Sequence, residues 1–336
     1  MIWDGKPGCG HDWSEAIKRN SSGGSTTNPG LQKAGVHKFS AMTGMCRRCG
    51  AWRGELGLEP NPGLYIGHLC SVFDEVWRVL KKTGTCWVVM GDTYASIGRS
   101  GRKESPGVGA KQAMRPISRD IIWKAGGGSN FKWELPDNVQ QKSLCQIPSR
   151  FAIEMVARRW LLRNEIVWFK PNSLPSSAKD RFTVDFEKLF FFTKSNRYFF
   201  EQQFEPLSGI TLTDRRLGKE RFEHGGRRMF RDKQTGGREL GSSFWYANLA
   251  GRNKRCVWRI PTQPYPGAHF AVFPEALAET PIRAGSPERG IVLDPFAGSG
   301  TSCRVASKLG RCFIGIDASR AYCRMARERL KNEGFP

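Results

Sequence analysis

An apolar run, Val292-Leu293-Asp294, leads into Pro295-Phe296-Ala297-Gly298-Ser299-Gly300-Thr301 and from there into a helical pattern. Glycines let backbone approach a ligand closely, and a helix N-terminus favours anionic groups. The next apolar run, Cys312 to Ile316, ends at Asp317. A carboxylate there can accept hydrogen bonds from ribose hydroxyls, as in nucleotide-binding α/β folds. The dinucleotide fingerprint G-x-G-x-x-G is absent, because Cys303 stands at the third glycine position. Asp-Pro-Phe followed by Gly-Ser-Gly-Thr is nevertheless far more restrictive than two glycines alone. An ordinary tight strand–helix turn is the plain alternative.

A second group could hold a metal. Cys9-Gly10-His11 and Cys46-Arg47-Arg48-Cys49-Gly50 offer four soft or borderline ligands in two tight pairs. A Cys3His set suits tetrahedral structural zinc. The 34 polar residues between His11 and Cys46 could not fold alone, so a metal would give them a nucleus. Free thiols in a mobile insert, or a redox Cys-x-x-Cys, are the competing readings, and no thioredoxin-like context accompanies the pair. The isolated Cys70, Cys86, Cys145, Cys256, Cys303, Cys312 and Cys323 read as small buried hydrophobes.

A third group is basic. Residues 211–255 hold twelve basic and five acidic side chains, interleaved with Phe222, Phe230, Phe244, Trp245 and Tyr246. Arg227, Arg228, Arg231, Lys233, Arg238, Arg252, Lys254 and Arg255 could neutralise phosphates, with the rings available for stacking. Arg99, Arg102, Lys103, Lys111, Arg115 and Arg119 form another cluster. A solvated basic loop is the bland reading of each.

These groups need a scaffold. The chain has 336 residues with 39% hydrophobic and 11% aromatic content, enough to bury a core. Lys plus Arg total 53 against 31 Asp plus Glu, a formal net charge of +22, and nucleic acid is the obvious polyanion. No apolar run approaches the roughly 18 residues of a membrane span, and Met1 to Lys6 has no signal-peptide core. The expectation is a cytoplasmic protein without a membrane partner.

Helical spacing of Leu64, Leu69, Val72, Phe73, Val76, Trp77 and Leu80 predicts a helix over 62–82, followed by a buried strand at 86–90. Residues 93–142 are Gly-rich and basic and read as a long loop. A helix over 149–162, strands at 165–169 and 189–193, then strand 291–293, helix 301–309, strand 312–316 and helix 320–330 complete an α/β pattern. The expected divisions are a zinc-knuckle insert over 1–56, halves at 57–204 and 257–336, and a basic insert over 205–256.

The segment Asp294 to Thr301, at the C-terminal end of the chain, resembles the S-adenosylmethionine motif of permuted amino-group DNA methyltransferases. Those enzymes modify cytosine N4 or adenine N6. Gly267-Ala268-His269-Phe270-Ala271-Val272-Phe273-Pro274 resembles the family's other cofactor motif, and Cys86–Asp92, Ile166–Asn172 and Phe186–Ser195 look like its strands on the target-base side. The resemblance implies a Rossmann-like α/β domain with a mixed, doubly wound sheet. It implies cofactor contacts from Asp294, Pro295, Phe296, Gly298, Ser299, Gly300, Thr301, His269 and Phe273, with Asp317 on the ribose. The partner would be double-stranded DNA, read by the basic insert. Cytosine N4 is preferred by overall resemblance.

The family positions the target amine with an Asp, Ser or Asn followed by Pro-Pro and an aromatic residue. No Pro-Pro pair occurs among the 336 residues, so no catalytic residue is assigned. Asn172 and Ser149 are the nearest polar residues beside a proline, and neither fits the motif. In the family the motif precedes the helix corresponding to 62–82, on a central strand that pairs with the one carrying Val292-Leu293. The expectation is therefore a missing central strand, supplied by sequence before Met1 or by a second polypeptide. The competing reading is a catalytically silent DNA-binding remnant.

Overall fold

The computed structural model describes residues 1–13, 44–95, 139–206, 251–263 and 273–331. A small three-stranded antiparallel sheet opens the chain, ordered β1 (Ile2–Trp3), β3 (Trp52–Arg53) and β2 (Gly44–Met45). Helix α1 (Pro62–Val79) follows, its start fixed by Asn61, whose side chain accepts the Leu64 N–H at 2.9 Å, and by Pro62 at the first position. Its last carbonyls are satisfied from outside: Lys194 Nζ donates to Trp77 and Leu80 oxygens at 2.7 and 2.9 Å.

The main sheet has the order β4 (Thr85–Met90), β6 (Phe186–Thr193), β5 (Leu161–Phe169), β9 (Val257–Arg259). β6 runs antiparallel to both neighbours and β9 parallel to β5, so the sheet is mixed. Period-two alternation sends β6 side chains to opposite faces. Phe190 and Phe192 pack with Ile66, Leu69 and Phe73 of α1 and with Phe151 and Met155 of α2 (Ile147–Ala157). Leu189 joins Ile166, Trp168 and Trp258 on the other face, under Leu277 of α3 (Glu275–Gly285). Each such aliphatic or aromatic side chain stabilises by roughly 1.5–3 kcal/mol on burial. One short ladder, β7 (Phe204–Glu205) with β8 (Arg252–Asn253), lies apart.

Both boundaries of one expected helix move. The helix expected over 149–162 occupies 147–157, because Asp92 at the end of β4 accepts N–H groups of Gln146 and Ile147 and fixes an earlier start. It ends earlier because Arg159 adopts a φ of 79°, which the α-helix forbids. The apolar Leu161-Leu162 then joins β5, pairing with Thr193 and Phe192.

The C-terminal unit is β10 (Ile291–Asp294), α4 (Thr301–Lys308), parallel β11 (Cys312–Gly315) and α5 (Arg320–Lys331). Helix α3 joins it to the main sheet. Leu277 packs against β5 and β6, while Ala278 and Ile282 pack against Val305 and Ala306 of α4. Among the described residues, β10–β11 is a separate sheet from the four-stranded one. Cys70, Cys86, Cys145 and Cys303 are buried as expected, whereas Cys256 and Cys312 are exposed.

Candidate functional site

The turn after β10 is drawn tight by two carboxylates. Asp294 Oδ1 accepts the Phe296 N–H at 2.9 Å, and its Oδ2 accepts the Ser302 hydroxyl. Asp317, just past β11, accepts the Gly298 N–H at 2.9 Å on Oδ2 and the Ser319 N–H at 2.7 Å on Oδ1. Gly298 and Gly300 adopt φ of 51° and 76°, conformations that favour glycine. A Cβ on Gly300 would stand 3.0 Å from the Ala326 Cβ. The loop is thus held by both strand ends, and at Gly300 a side chain would press on Ala326.

The residues present fit an adenosyl cofactor. Each Asp317 oxygen accepts one backbone N–H and keeps a lone pair for a hydroxyl. The Phe296 ring, on the same turn, is exposed and offers an apolar face for a base. Ser299 and Thr301 behave otherwise: both are about 3% exposed, and their hydroxyls accept from Arg329 of α5 at 3.3 and 3.0 Å. Arg329 also reaches the Ser299 carbonyl and pairs with Glu275 of α3, which holds Arg304 and Lys308 as well. Sequence reading missed Arg329 because nothing in α5 marks one arginine among several as turned inward.

A cavity of about 1830 Å³ opens in front of this turn. Asp294, Pro295 and Phe296 line it, as does Phe273. Small-molecule sites occupy about 300–1,000 Å³, so this space exceeds what one cofactor fills. All of β4 lines it, and so does all of β10. Among the described residues each is an outer strand of its own sheet, with no strand paired to one of its edges. Phe73 of α1 approaches Phe296, with ring centroids 6.4 Å apart. Asn172 clamps Thr262 instead of standing free: its oxygen accepts the Thr262 N–H at 2.8 Å, and its amide donates to the Thr262 carbonyl at 2.8 Å. Ser149 Oγ accepts from Lys188.

The four metal candidates come together. Cys9 Sγ lies 4.0 Å from Cys46 Sγ, and Cys49 Sγ 3.4 Å from His11 Nδ1. Burial pushes the Cys46 thiol up, but the backbone N–H groups of Cys49 and Arg48 and the His11 ring outweigh it and bring it down to about 6.

Of the basic candidates, Arg252, Lys254 and Arg255 are placed. Arg252 and Arg255 both pair with Glu205 Oε1, at 2.8 and 2.6 Å, while Lys254 lies 5.4 Å from the Trp258 ring centroid. Arg227, Arg228, Arg231, Lys233, Arg238 and His269, with most of the loop expected over 93–142, lie outside the described residues. Among the described residues no helix is long and apolar enough to cross a membrane.

The sequence profile of the N6_N4_Mtase family, described as DNA methylase, matches residues 38–328. M.SmaI, a type II methyltransferase of Serratia marcescens, is 34% identical over 280 residues, covering 82% of this chain and 77% of its own. M.Cfr9I, a type II methyltransferase of Citrobacter freundii, is 32% identical over 282 residues, with 83% and 75% covered. Among solved structures, the cytosine-N4-specific PvuII DNA methyltransferase aligns with a TM-score of 0.47 at 18% identity, over 80% of this chain and 71% of that one.

Proposed function

This chain belongs to the DNA methylase family whose members methylate base amino groups, and from that premise we propose that its target atom is cytosine N4 in double-stranded DNA. The family is dependent on S-adenosylmethionine, which supplies an electrophilic methyl group on a sulfonium. Held at the Asp317 turn, it would supply that methyl to the amino nitrogen of the flipped base, with S-adenosylhomocysteine as the leaving group and the displaced amine proton going to solvent.

The observation that carries this reading is the glycine turn bracketed by Asp294 and Asp317 at the edge of the large cavity. Asp317 would hold the ribose hydroxyls, and Phe296 and Phe273 would flank the adenine. Asp294 shapes the turn through Phe296 N and Ser302. Ser299 and Thr301 act through the backbone, since Arg329 takes their hydroxyls. Arg252, Lys254 and Arg255 belong to the DNA face, with Glu205 holding two of them until phosphates compete. Recognition of a particular sequence belongs to the basic insert.

The cavity between β4 and β10 takes a further strand, which carries the Pro-Pro-aromatic motif and brings its polar residue to the amine. Two unpaired strand edges on one cavity support this, because a strand between them would satisfy both sets of backbone groups. A segment in cis or a second polypeptide would supply it.

The test pairs this 336-residue chain with the polypeptide translated in frame from codons upstream of Met1. Transfer of a labelled methyl group from S-adenosylmethionine to duplex DNA is measured for both. Activity in the extended form, far above that of the chain itself, is expected for a strand supplied in cis. Activity only after addition of a co-expressed neighbouring polypeptide places it in trans. DNA binding without transfer in every combination overturns the reading in favour of a silent remnant.

A further inference from the structure

The methyl-transfer site makes no use of the four ligands in the N-terminal module. Cys9 and His11 follow the turn at Pro7-Gly8, and Cys46 and Cys49 belong to the turn closed by Gly50, whose N–H donates to the Cys46 carbonyl at 2.9 Å. The ligand atoms of all four lie within 4.8 Å of one another, although 34 residues separate the pairs in sequence. A tetrahedral ion with Zn–S near 2.3 Å and Zn–N of about 2.0–2.1 Å calls for S···S of about 3.8 Å and S···N of about 3.5 Å. The observed 4.0 and 3.4 Å match both.

We propose that Cys9, His11 through Nδ1, Cys46 and Cys49 form a structural zinc site that clamps the N-terminal module onto α1. Four protein ligands close the coordination sphere and leave no position for a reacting water, which is the pattern of structural rather than catalytic zinc.

The clamp has a defined target. Strands β1, β2 and β3 have two residues each, too few to sustain a sheet by themselves. Their tryptophans, Trp3 and Trp52, stack on the His68 ring of α1, with centroids 4.8 and 5.5 Å away and planes 20° apart. His68 is 1% exposed, and its nitrogens meet Glu59 Oε1 at 3.0 Å and Asp4 Oδ2 at 3.1 Å. Asp4 and Trp3 lie just before Cys9, and Trp52 just after Cys49. A metal joining the two turns therefore fixes both walls of the His68 pocket, and a small module without a core of its own depends on such a staple.

The experiment measures metal content of the full chain after dialysis against metal-free buffer, and the visible spectrum after cobalt replacement. Near one zinc per chain is expected, with the d–d bands of tetrahedral cobalt bound to thiolates. Cys46→Ser and His11→Ala should lose at least tenfold in zinc affinity, while Cys256→Ser, at an exposed thiol outside the cluster, retains the metal. Chelation should lower the unfolding midpoint by roughly 5 °C or more, and added zinc should restore it. The cobalt spectrum of the unsubstituted chain decides the matter even if a ligand variant fails to fold. A Cys46–Cys49 disulfide found by peptide mapping, an octahedral cobalt spectrum, or zinc retained by both ligand variants would overturn the proposal. None of these readouts depends on methyl transfer, so the zinc site and the proposed methylation fail separately.

Discussion

Asp317 binds the backbone N–H of Gly298 at 2.9 Å across nineteen residues of chain, so the end of β11 holds the glycine turn that follows β10. One side chain therefore shapes the turn and, under the proposed function, would also offer oxygens to a ribose. Asp317→Ala should remove both functions. Hydrogen bonds to a charged group contribute about 1.5–3 kcal/mol, so S-adenosylmethionine affinity should fall about 10- to 100-fold. Isothermal titration of the two proteins measures it, and unchanged affinity would remove Asp317 from the site.

Arg329→Met keeps length and removes the donors that reach Ser299 and Thr301. Two buried hydroxyls would lose a partner, and Glu275 would lose one of its cations. The expected cost is about 2 kcal/mol of stability, with weaker cofactor binding through a loosened turn. Denaturant unfolding checks the first effect. Recovery of activity at saturating S-adenosylmethionine, with kcat unchanged, separates positioning from chemistry.

Gly300→Ala places a Cβ 3.0 Å from the Ala326 Cβ on a residue with φ of 76°. Left-handed backbone costs a non-glycine residue roughly 1–2 kcal/mol, and α5 must shift by a few tenths of an ångström besides. Thermal unfolding should show destabilisation. A neutral result would mean that the turn relaxes freely.

Burial pushes the Glu205 carboxyl up, but Arg255 and Arg252 beside it hold it below the usual carboxylate range. If these arginines serve phosphates, Glu205→Gln should tighten duplex DNA binding severalfold at low salt. Lys254→Ala should weaken binding of any sequence and flatten the dependence of log affinity on log salt by about 0.9. Fluorescence anisotropy at several salt concentrations reads both, and equal slopes would place this ladder away from DNA.

Much of the scaffold was legible because its signals are local. Asn61-Pro62 starts α1 and the apolar spacing carries it to Val79, while Val292 to Thr301 announces strand, turn and helix without help from the rest of the chain. Helix α3 was not read as a helix, since Pro281 lies inside it and its buried Leu277 and Ile282 face two different clusters. His68 looked like any helical residue; its burial depends on Trp3 and Trp52, which come from distant strands. The inward turn of Arg329 is equally non-local, set by Glu275 on α3. The convergence of Cys9 and His11 with Cys46 and Cys49 was legible in ligand type and spacing, though their distances needed the fold.

Cytosine N4 as the methylated atom is tested by incubating duplex DNA with this chain or its N-terminally extended form and S-adenosylmethionine bearing a deuterated methyl group. The DNA is then digested, and the nucleosides are identified by mass spectrometry. Deuterated N4-methylcytosine is expected. Label only on cytosine C5, or none on any base with either form, would contradict it.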